Sequence, residues 1–446
     1  MKNFYILNPG EQEFDFYPGS LLVKDGKIAK ILKGENHREH QEKLLAEFPG
    51  AIEVIDGQAR RLIFPGFIQT HIHLCQTLHR NLAEDMPLLQ WLREEVWPYE
   101  AALDRQTMGQ AVIMGLKEIL SSGTTAVLDM GSIHQQEVIF DIMSKVGFRY
   151  TGGKAMMDNV IDPIPGLSET LAESIDKSIR LYEKFHRGNE GLLHYALAPR
   201  FLLSCSAELL RQVKIFSDEN DIIIHTHGAE HRAEVDLIKR ETGFGNIAYL
   251  DEINVLNSNT VIIHAVHLDD EEKSLLVECS ASVVHCPSAN LKLGSGIAPI
   301  DEYLQDGMTV GLGCDGAPCN NTLSIFSEMK LACLLQKGVN NDPMLMPAEE
   351  ALRMVSLRGA EILKLGSMIG TIEAGKEADL VILDMDTPQT FNFRRNPAAA
   401  IVFGADARNV EATMVRGKFL YREGRFSETI EALDRCFNTS LRLLER

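Results

Sequence analysis

The tightest constraint on the fold is a rhythm. Between residues 62 and 316, eight strand-like apolar runs alternate with amphipathic helical stretches. The runs are LIFPGFIQTHIH (62–73), TTAVLDMG (124–131), RYTGGKAMMD (149–158), LLHYALAPRF (192–201), DIIIHTHG (221–228), TVIIHAVHL (260–268), ASVVHCPSAN (281–290) and TVGLGCDG (309–316). Helical stretches between them include RQTMGQAVIMGLKEILSS (105–122), SAELLRQVKIFSDE (206–219) and DDEEKSLLVECS (269–280). Strands that read as continuous apolar runs suit a parallel sheet covered on both faces. Eight strand-then-helix units predict an α/β fold, a (β/α)8 TIM barrel. An open doubly wound sheet is the structural alternative. It does not explain why polar residues gather at the C-terminal ends of the first, fifth, sixth and eighth runs.

The flanks read differently. Residues 1–61 contain short strands, SLLVKDGKIAKIL (20–32) and AIEVIDGQARRLIF (51–64), with turn signals at Asp25-Gly26 and Asp56-Gly57. After a helical segment, PAEEALRMVSLRGAEIL (347–363), strands return at ADLVILDM (378–385) and NVEATMVRGKFLYREG (409–424). A helix over 428–445 closes the chain. The expected assembly has three parts. Residues 1–61 open a small β-sandwich domain, 62–369 form a metal-dependent barrel, and 370–446 complete the sandwich and add the closing helix.

Charge and composition exclude several functions. The net charge of −19 is spread along the 446 residues, which disfavours a nucleic-acid partner held through phosphates. No run approaches 18 uninterrupted apolar residues, so no membrane span is expected. The N-terminus lacks a long apolar signal region. The eight cysteines form no CxxC pair. Cys75, Cys286 and Cys314 lie inside apparent core strands, and buried free thiols point to a cytoplasmic location.

The chemistry collects at the strand ends. His71 and His73, at i and i+2 of one strand, point to the same face. In a barrel they converge with His227 and Asp315 at the C-terminal rim. Three imidazoles and a carboxylate suit one Zn²⁺ and leave a position for water, and Fe²⁺ or Mn²⁺ would also fit. Glu230 follows His227 by three residues, placed to handle substrate protons without being a ligand. His225 sits deeper on the same strand and reads as a supporting or packing residue. Of His264 and His267, the first follows the apolar run directly and is the better candidate for the site. Asp315 can both bind metal and accept a proton from the attacking water. His285 is expected to be a hydrogen-bonded histidine at the end of the seventh strand. Lys154 lies on the third strand rather than the fourth, whose end carries Arg200. That placement favours one metal over a lysine-bridged pair.

At these residues a resemblance appears. PGFIQTHIH, HGAE, HAVHLDDEE, HCPSANLKLGSGIAPI and GCDGAPCNN resemble the amidohydrolase superfamily, in its branch of mononuclear aminohydrolases, and GTIEAGKEADLVILD (370–384) is similar to its return into a β domain. Within that branch the chain is most similar to deaminases of adenine nucleosides. The resemblance implies a metal-dependent hydrolase of C–N bonds, acting on a small-molecule purine nucleoside and assembled as a homo-oligomer. It implies His71, His73, His227 and Asp315 as ligands, with Glu230 and His264 as catalytic groups beside the Asp315 already read as one. The segment 83–100 resembles one that covers the substrate, with Trp91 as a pocket wall and Glu100 accepting from ribose hydroxyls. APRFLLSCS (198–206) departs from the pattern. Arg200 stands where a histidine would be expected, and Arg-Phe there resembles guanine deaminase. Guanine or pterin deamination, and displacement of chloride or an amine from a triazine ring, therefore stay open beside adenine chemistry.

Overall fold

Closure of the sheet decides between the two architectures. In the computed structural model, which describes residues 1–48, 53–159 and 166–437, parallel pairing runs from Phe67–His73 through Thr124–Asp129 and Arg149–Gly152 to Leu193–Tyr195. It continues from Ile224–Gly228 through Thr260–His264 and Ser282–His285 to Val310–Leu312. Two parallel bridges, Leu197 to Ile224 and Phe201 to His227, join the first set to the second. Asp315–Gly316 pairs with Ile72 and His73 and closes the ring. The sheet has no open edge, and the fold is the (β/α)8 barrel.

The barrel interior holds Ile68, Leu128, Ile223, Ile263 and Val284, plugged from below by Ala360, Ile362 and Leu365. Outside lies a helical layer. Its longest member is Arg105–Ser121, which starts at a reciprocal cap: Asp104 Oδ1 accepts from Thr107 N–H at 2.8 Å, and Asp104 N–H donates to Thr107 Oγ1 at 3.0 Å. Helices Ala207–Asn220 and Asp270–Glu278 match the predicted stretches. The stretch 347–363 is broken into Ala348–Met354 and Leu357–Ile362, because Ser356 between them has non-helical backbone.

The run 62–73 is not one strand. Arg61–Pro65 pairs with Phe4–Asn8 and Leu380–Asp384, and only Phe67–His73 enters the barrel. Gly66 makes the switch. A Cβ there would fall 2.1 Å from the Thr125 side chain, so the two sheets approach too closely for any other residue.

The chain ends build one sheet of eight strands, in the order Arg425–Phe426, Lys418–Arg422, Val410–Val415, Leu380–Asp384, Arg61–Pro65, Phe4–Asn8, Asp15–Lys24, Lys27–Lys33. It curls back on itself. Ile28 N–H donates to Lys376 O and Ala378 N–H to Gly26 O. Ile6, Leu21, Ile63, Leu380 and Met414 fill the space enclosed, so the sandwich-like layers are two ends of a single sheet. Asp25-Gly26 and Arg416-Gly417 turn with positive φ at both residues, as tight hairpins need. Asp56-Gly57 joins no hairpin; Asp56 bridges Lys2 in parallel. The closing helix is described as Glu428–Phe437, and residues 438–445 of its expected span lie outside the described residues. Among the described residues no helix is long and apolar enough to cross a membrane.

Candidate metal centre and active site

Strand alternation puts His71 and His73 on one face at the end of the first barrel strand, where they are 0% and 3% exposed. Asp315 arrives from the eighth strand through Gly313, where a Cβ would meet His71 O at 2.5 Å. Asp315 Oδ1 lies 3.2 Å from His71 Nε2 and 3.4 Å from His73 Nε2. His227 completes the set, its Nε2 3.3 Å from His73 Nε2. One ligand atom from each of these four residues lies within 4.8 Å of the others. The four expected ligands are therefore brought together.

The donor chemistry fits a divalent cation. His227 Nδ1–H donates to Arg200 O at 2.7 Å, which leaves the Nε2 lone pair free to bind. Burial, then the charges of neighbouring histidines, hold the His73 and His227 imidazoles well below their ordinary range. His73 Nε2 and His227 Nε2 face each other at 3.3 Å, placed so that both could bind one cation. Burial works against the Asp315 carboxylate, but hydrogen bonding to His71 and the His71, His73 and His264 charges outweigh it and hold Asp315 well below the usual range. His227 Nε2 and the Asp315 carboxylate are therefore in ligating form.

Backbone strain concentrates at this rim. Asp315 (φ 61), His264 (φ 73), Ala265 (φ 48) and Ala229 (φ 52) occupy the left-handed region, which L-residues seldom adopt. The strain at His264 turns its ring inward, so that Nε2 lies 3.4 Å from Glu230 Oε2 and 3.8 Å from Asp315 Oδ2. His267 turns away instead and bonds Ser295 O at 2.7 Å. His225 lies behind His71, with its Nε2 3.1 Å from His71 Nδ1.

Glu230 stands beside the ligands and outside their set. It is 4% exposed, and its Oε1 has no hydrogen-bond partner among the described residues. Burial, then the nearby Asp315 and Glu234 charges, push its carboxyl well above the usual range. The two carboxyl groups of the site are thus shifted in opposite directions, Asp315 down and Glu230 up.

The remaining expected residues fall in different places. Leu88, Trp91, Leu92, Phe201 and Leu293 wall the cavity above the cluster. Arg200 also lines it, whereas Glu100 lies behind Arg200, 1% exposed. Arg200 Nη1 donates to Glu100 Oε2 at 2.5 Å, Nη2 to Oε1 at 3.1 Å, and Gln76 Nε2 to Oε1 at 2.8 Å. His285 differs from expectation: it is wholly buried, yet neither ring nitrogen has a hydrogen-bond partner among the described residues. Burial pushes it down to about 3, so it stays neutral. Lys154 turns away from the cluster to Glu169, Ser174 Oγ and Ala155 O. The eight cysteines are free thiols.

Sequence reasoning missed five supporting residues. Gln76 holds Glu100. Asn290 meets His264. Asp129 accepts from Leu74 N–H and Tyr150 Oη–H just past the ligand strand. Glu234 accepts from Glu230 N–H. Glu328 accepts from Ser288 N–H, Ser288 Oγ–H and Asn320 Nδ2–H, tying the loop after the seventh strand to the loop after Asp315. Only Glu234 carried a readable signal, four residues after Glu230 at the start of a helix.

A barrel with a three-histidine, one-aspartate cluster at its C-terminal rim defines the class of metal-dependent barrel hydrolases. Residues 62–420 match the Amidohydrolase family, and the chain belongs to it. It is 36% identical to a 5′-deoxyadenosine deaminase of Methanothermobacter thermautotrophicus, over 95% of each chain. It is 34% identical to a 5-methylthioadenosine/S-adenosylhomocysteine deaminase of Moorella thermoacetica, over 93% of this chain and 96% of that one. Among solved structures it resembles an adenosine deaminase from Xanthomonas campestris with bound zinc, with a TM-score of 0.86, 26% identity and 99% of both chains covered.

Proposed function

We propose that this chain is a zinc-dependent deaminase of an adenine nucleoside, replacing the C6 amino group of the ring with oxygen and releasing ammonia. The candidate substrates are 5′-deoxyadenosine, 5′-methylthioadenosine, S-adenosylhomocysteine and adenosine. The observation that carries this reading is Glu230, a carboxyl only 4% exposed with Oε2 3.4 Å from His264 Nε2, beside the cluster without belonging to it. The names of the relatives support the substrate class.

His71, His73, His227 and Asp315 would hold the cation, which would supply Lewis acidity toward the attacking water. Asp315 Oδ2 accepts one proton of the attacking water as its oxygen adds to C6. His264 Nε2 holds the other hydrogen. Glu230 gives its proton to N1, so charge does not build on the ring. In the second half Asp315 returns its proton to the amino nitrogen and the C6–N bond breaks. The remaining hydroxyl proton passes to Glu230 across His264, whose Nε2 is 3.4 Å from Glu230 Oε2. Ammonia leaves, C6 becomes a carbonyl with N1 protonated, and both carboxyl groups regain their starting states. A metal-assisted attack paired with a non-ligand glutamate also serves base deaminases of other folds.

Arg200 favours a second reading. It is a pure donor in the cavity wall, suited to a carbonyl oxygen such as that of guanine or a pterin. Ammonia release by the zinc-loaded protein from the four adenosines and from guanine tests the choice. Turnover of one or more adenosines is expected. Turnover of guanine alone overturns the adenine assignment.

A further inference from the structure

The chemistry above needs one tautomer of His264. If Nε2 is to hold a hydrogen of the attacking water, the ring proton must sit on Nδ1. Nδ1 lies 2.8 Å from Asn290 Oδ1. The geometry points to Asn290 as the positioning residue that sets this tautomer and the plane of the ring, an inference that rests on the proposed role of His264.

Three observations support it. Asn290 is 1% exposed, and its Nδ2 has no hydrogen-bond partner among the described residues. Leaving an amide group unpaired in a protein interior is costly, so the residue is not there to satisfy itself. Asn290 is also held from both sides, its N–H donating to Cys286 O at 3.0 Å and its carbonyl accepting from Ser295 N–H at 2.8 Å. Its short helix, Pro287–Lys292, is anchored in turn. Glu328 takes Ser288 N–H at 3.1 Å and Oγ–H at 2.6 Å, and with the same carboxylate takes Asn320 Nδ2–H at 3.0 Å on the loop after Asp315. Asn320 Nδ2 also reaches Cys314 O at 2.7 Å, one residue before the ligand. One buried carboxylate thereby fixes the distance between the residue that orients His264 and the residue that takes the proton.

Which end of the Asn290 amide faces His264 is what the proposal turns on. With Oδ1 inward, Nδ1 carries the proton and Nε2 accepts. With Nδ2 inward, Nδ1 accepts and Nε2 carries the proton. Asn290→Asp separates the two, because an ionised carboxylate only accepts. It preserves the first arrangement and destroys the second. In the first it also costs no hydrogen bond to the described residues, since Nδ2, the group it replaces, has no partner among them.

The experiment uses zinc-loaded full-length protein and three readouts: kcat and KM for ammonia release, zinc content, and ¹⁵N correlation spectra of labelled histidine. The wild-type spectrum is expected to place the His264 proton on Nδ1. Asn290→Asp is expected to stay within about tenfold of wild-type kcat. Asn290→Leu is expected to lose on the order of 10²-fold or more in kcat with KM and zinc content unchanged. A His264 proton on Nε2, an Asn290→Asp enzyme as impaired as Asn290→Leu, or a near-normal Asn290→Leu enzyme each overturns the proposal. Should Asn290→Leu fail to fold, the Asp variant and the wild-type spectrum still decide. Failure of the functional reading looks different: no ammonia from any purine in the panel, whatever tautomer the spectrum reports.

Discussion

Glu100 and Arg200, one hundred residues apart in sequence, meet in a buried two-point ion pair at the wall of the active site. The pairing gives each residue a different meaning from the one its motif implies. Three of the four acceptor positions of Glu100 are used, two by Arg200 and one by Gln76. Glu100 is therefore first the counter-ion that lets a guanidinium sit in the wall. Arg200 lines the cavity; burial works against its charge, and the Glu100 carboxylate outweighs that cost. Breaking the pair strands a buried charge, which typically costs about 3–5 kcal/mol. Arg200→Ala should lower the thermal midpoint and raise KM, and Arg200→Lys, which lacks the planar fork, should rescue neither fully. Calorimetry and steady-state kinetics on both variants check this. An Arg200→Lys enzyme equal to wild type would show that the two-point geometry is irrelevant.

Glu230→Gln removes the transferable proton and keeps the shape. It should retain the metal and lose about 10²–10⁴-fold in kcat, the range that a positioned proton donor supplies. Metal content with turnover of the best substrate is the measurement. Near-normal turnover would remove Glu230 from the mechanism.

Metal removal should abolish activity and lower stability together, because a ligand that binds only the folded state stabilises it by about 2.7 kcal/mol at a hundred times its Kd. Chelation, followed by titration with zinc, should restore turnover and thermal midpoint in parallel. Recovery of the midpoint without turnover would separate the structural cation from the catalytic one.

Glu328 makes stability depend on pH in a defined direction. Burial pushes its carboxyl up to about 7 from an ordinary 4.5, against the pull of its Ser288 and Asn320 hydrogen bonds. Between those values the folded chain keeps a proton that the unfolded chain has lost. Its contribution is whole below the unfolded value, falls as pH rises, and is gone above the folded one. The size is on the order of 3 kcal/mol for a shift of this extent. Urea unfolding at pH 5 and 7.5 should show a larger decline for wild type than for Glu328→Gln. An identical decline in the two proteins would exclude Glu328 as a source.

The cavity above the cluster measures about 30 Å³, room for about two waters and far too little for a purine ring. Substrate entry is expected to move the segment 83–100, which supplies Leu88, Trp91 and Leu92 to the cavity wall. Both tryptophans of the chain, Trp91 and Trp97, belong to that segment. It is latched to the opposite loops by Glu84, which meets Lys292 Nζ and Asn321 Nδ2 at 2.9 Å each. Binding of an unreactive nucleoside should change intrinsic fluorescence in a phase slower than encounter, and Glu84→Ala should speed that phase. A spectrum that does not respond to saturating ligand would show that the cover stays in place.

Residues whose meaning comes from local periodicity were legible before the fold was known. His71 and His73 share a face because they are two apart on a strand. Eight units of one rhythm implied a closed barrel, and closure carried His227 and Asp315 to the same rim. Less was legible at the flanks, where the first apolar run is divided at Gly66 between two sheets. Pairing partners, not apolarity, decide where such a strand ends. The expectation for His285 failed for a related reason. Its position at a strand end was right, but whether a buried imidazole finds a partner depends on which side chains other loops bring near it.

From the sequence alone came the barrel, the convergence of the four expected ligands, and the carboxyl group placed three residues beyond the third of them. All of these follow from spacing along single strands and from the order of repeated units. Only the tertiary structure paired Glu100 with Arg200, set Asn290 against His264, and bound both flanking loops to Glu328. Those contacts join loops far apart in the chain, so their formation depends on how the closed barrel brings eight strand ends together, and no local pattern encodes that distance.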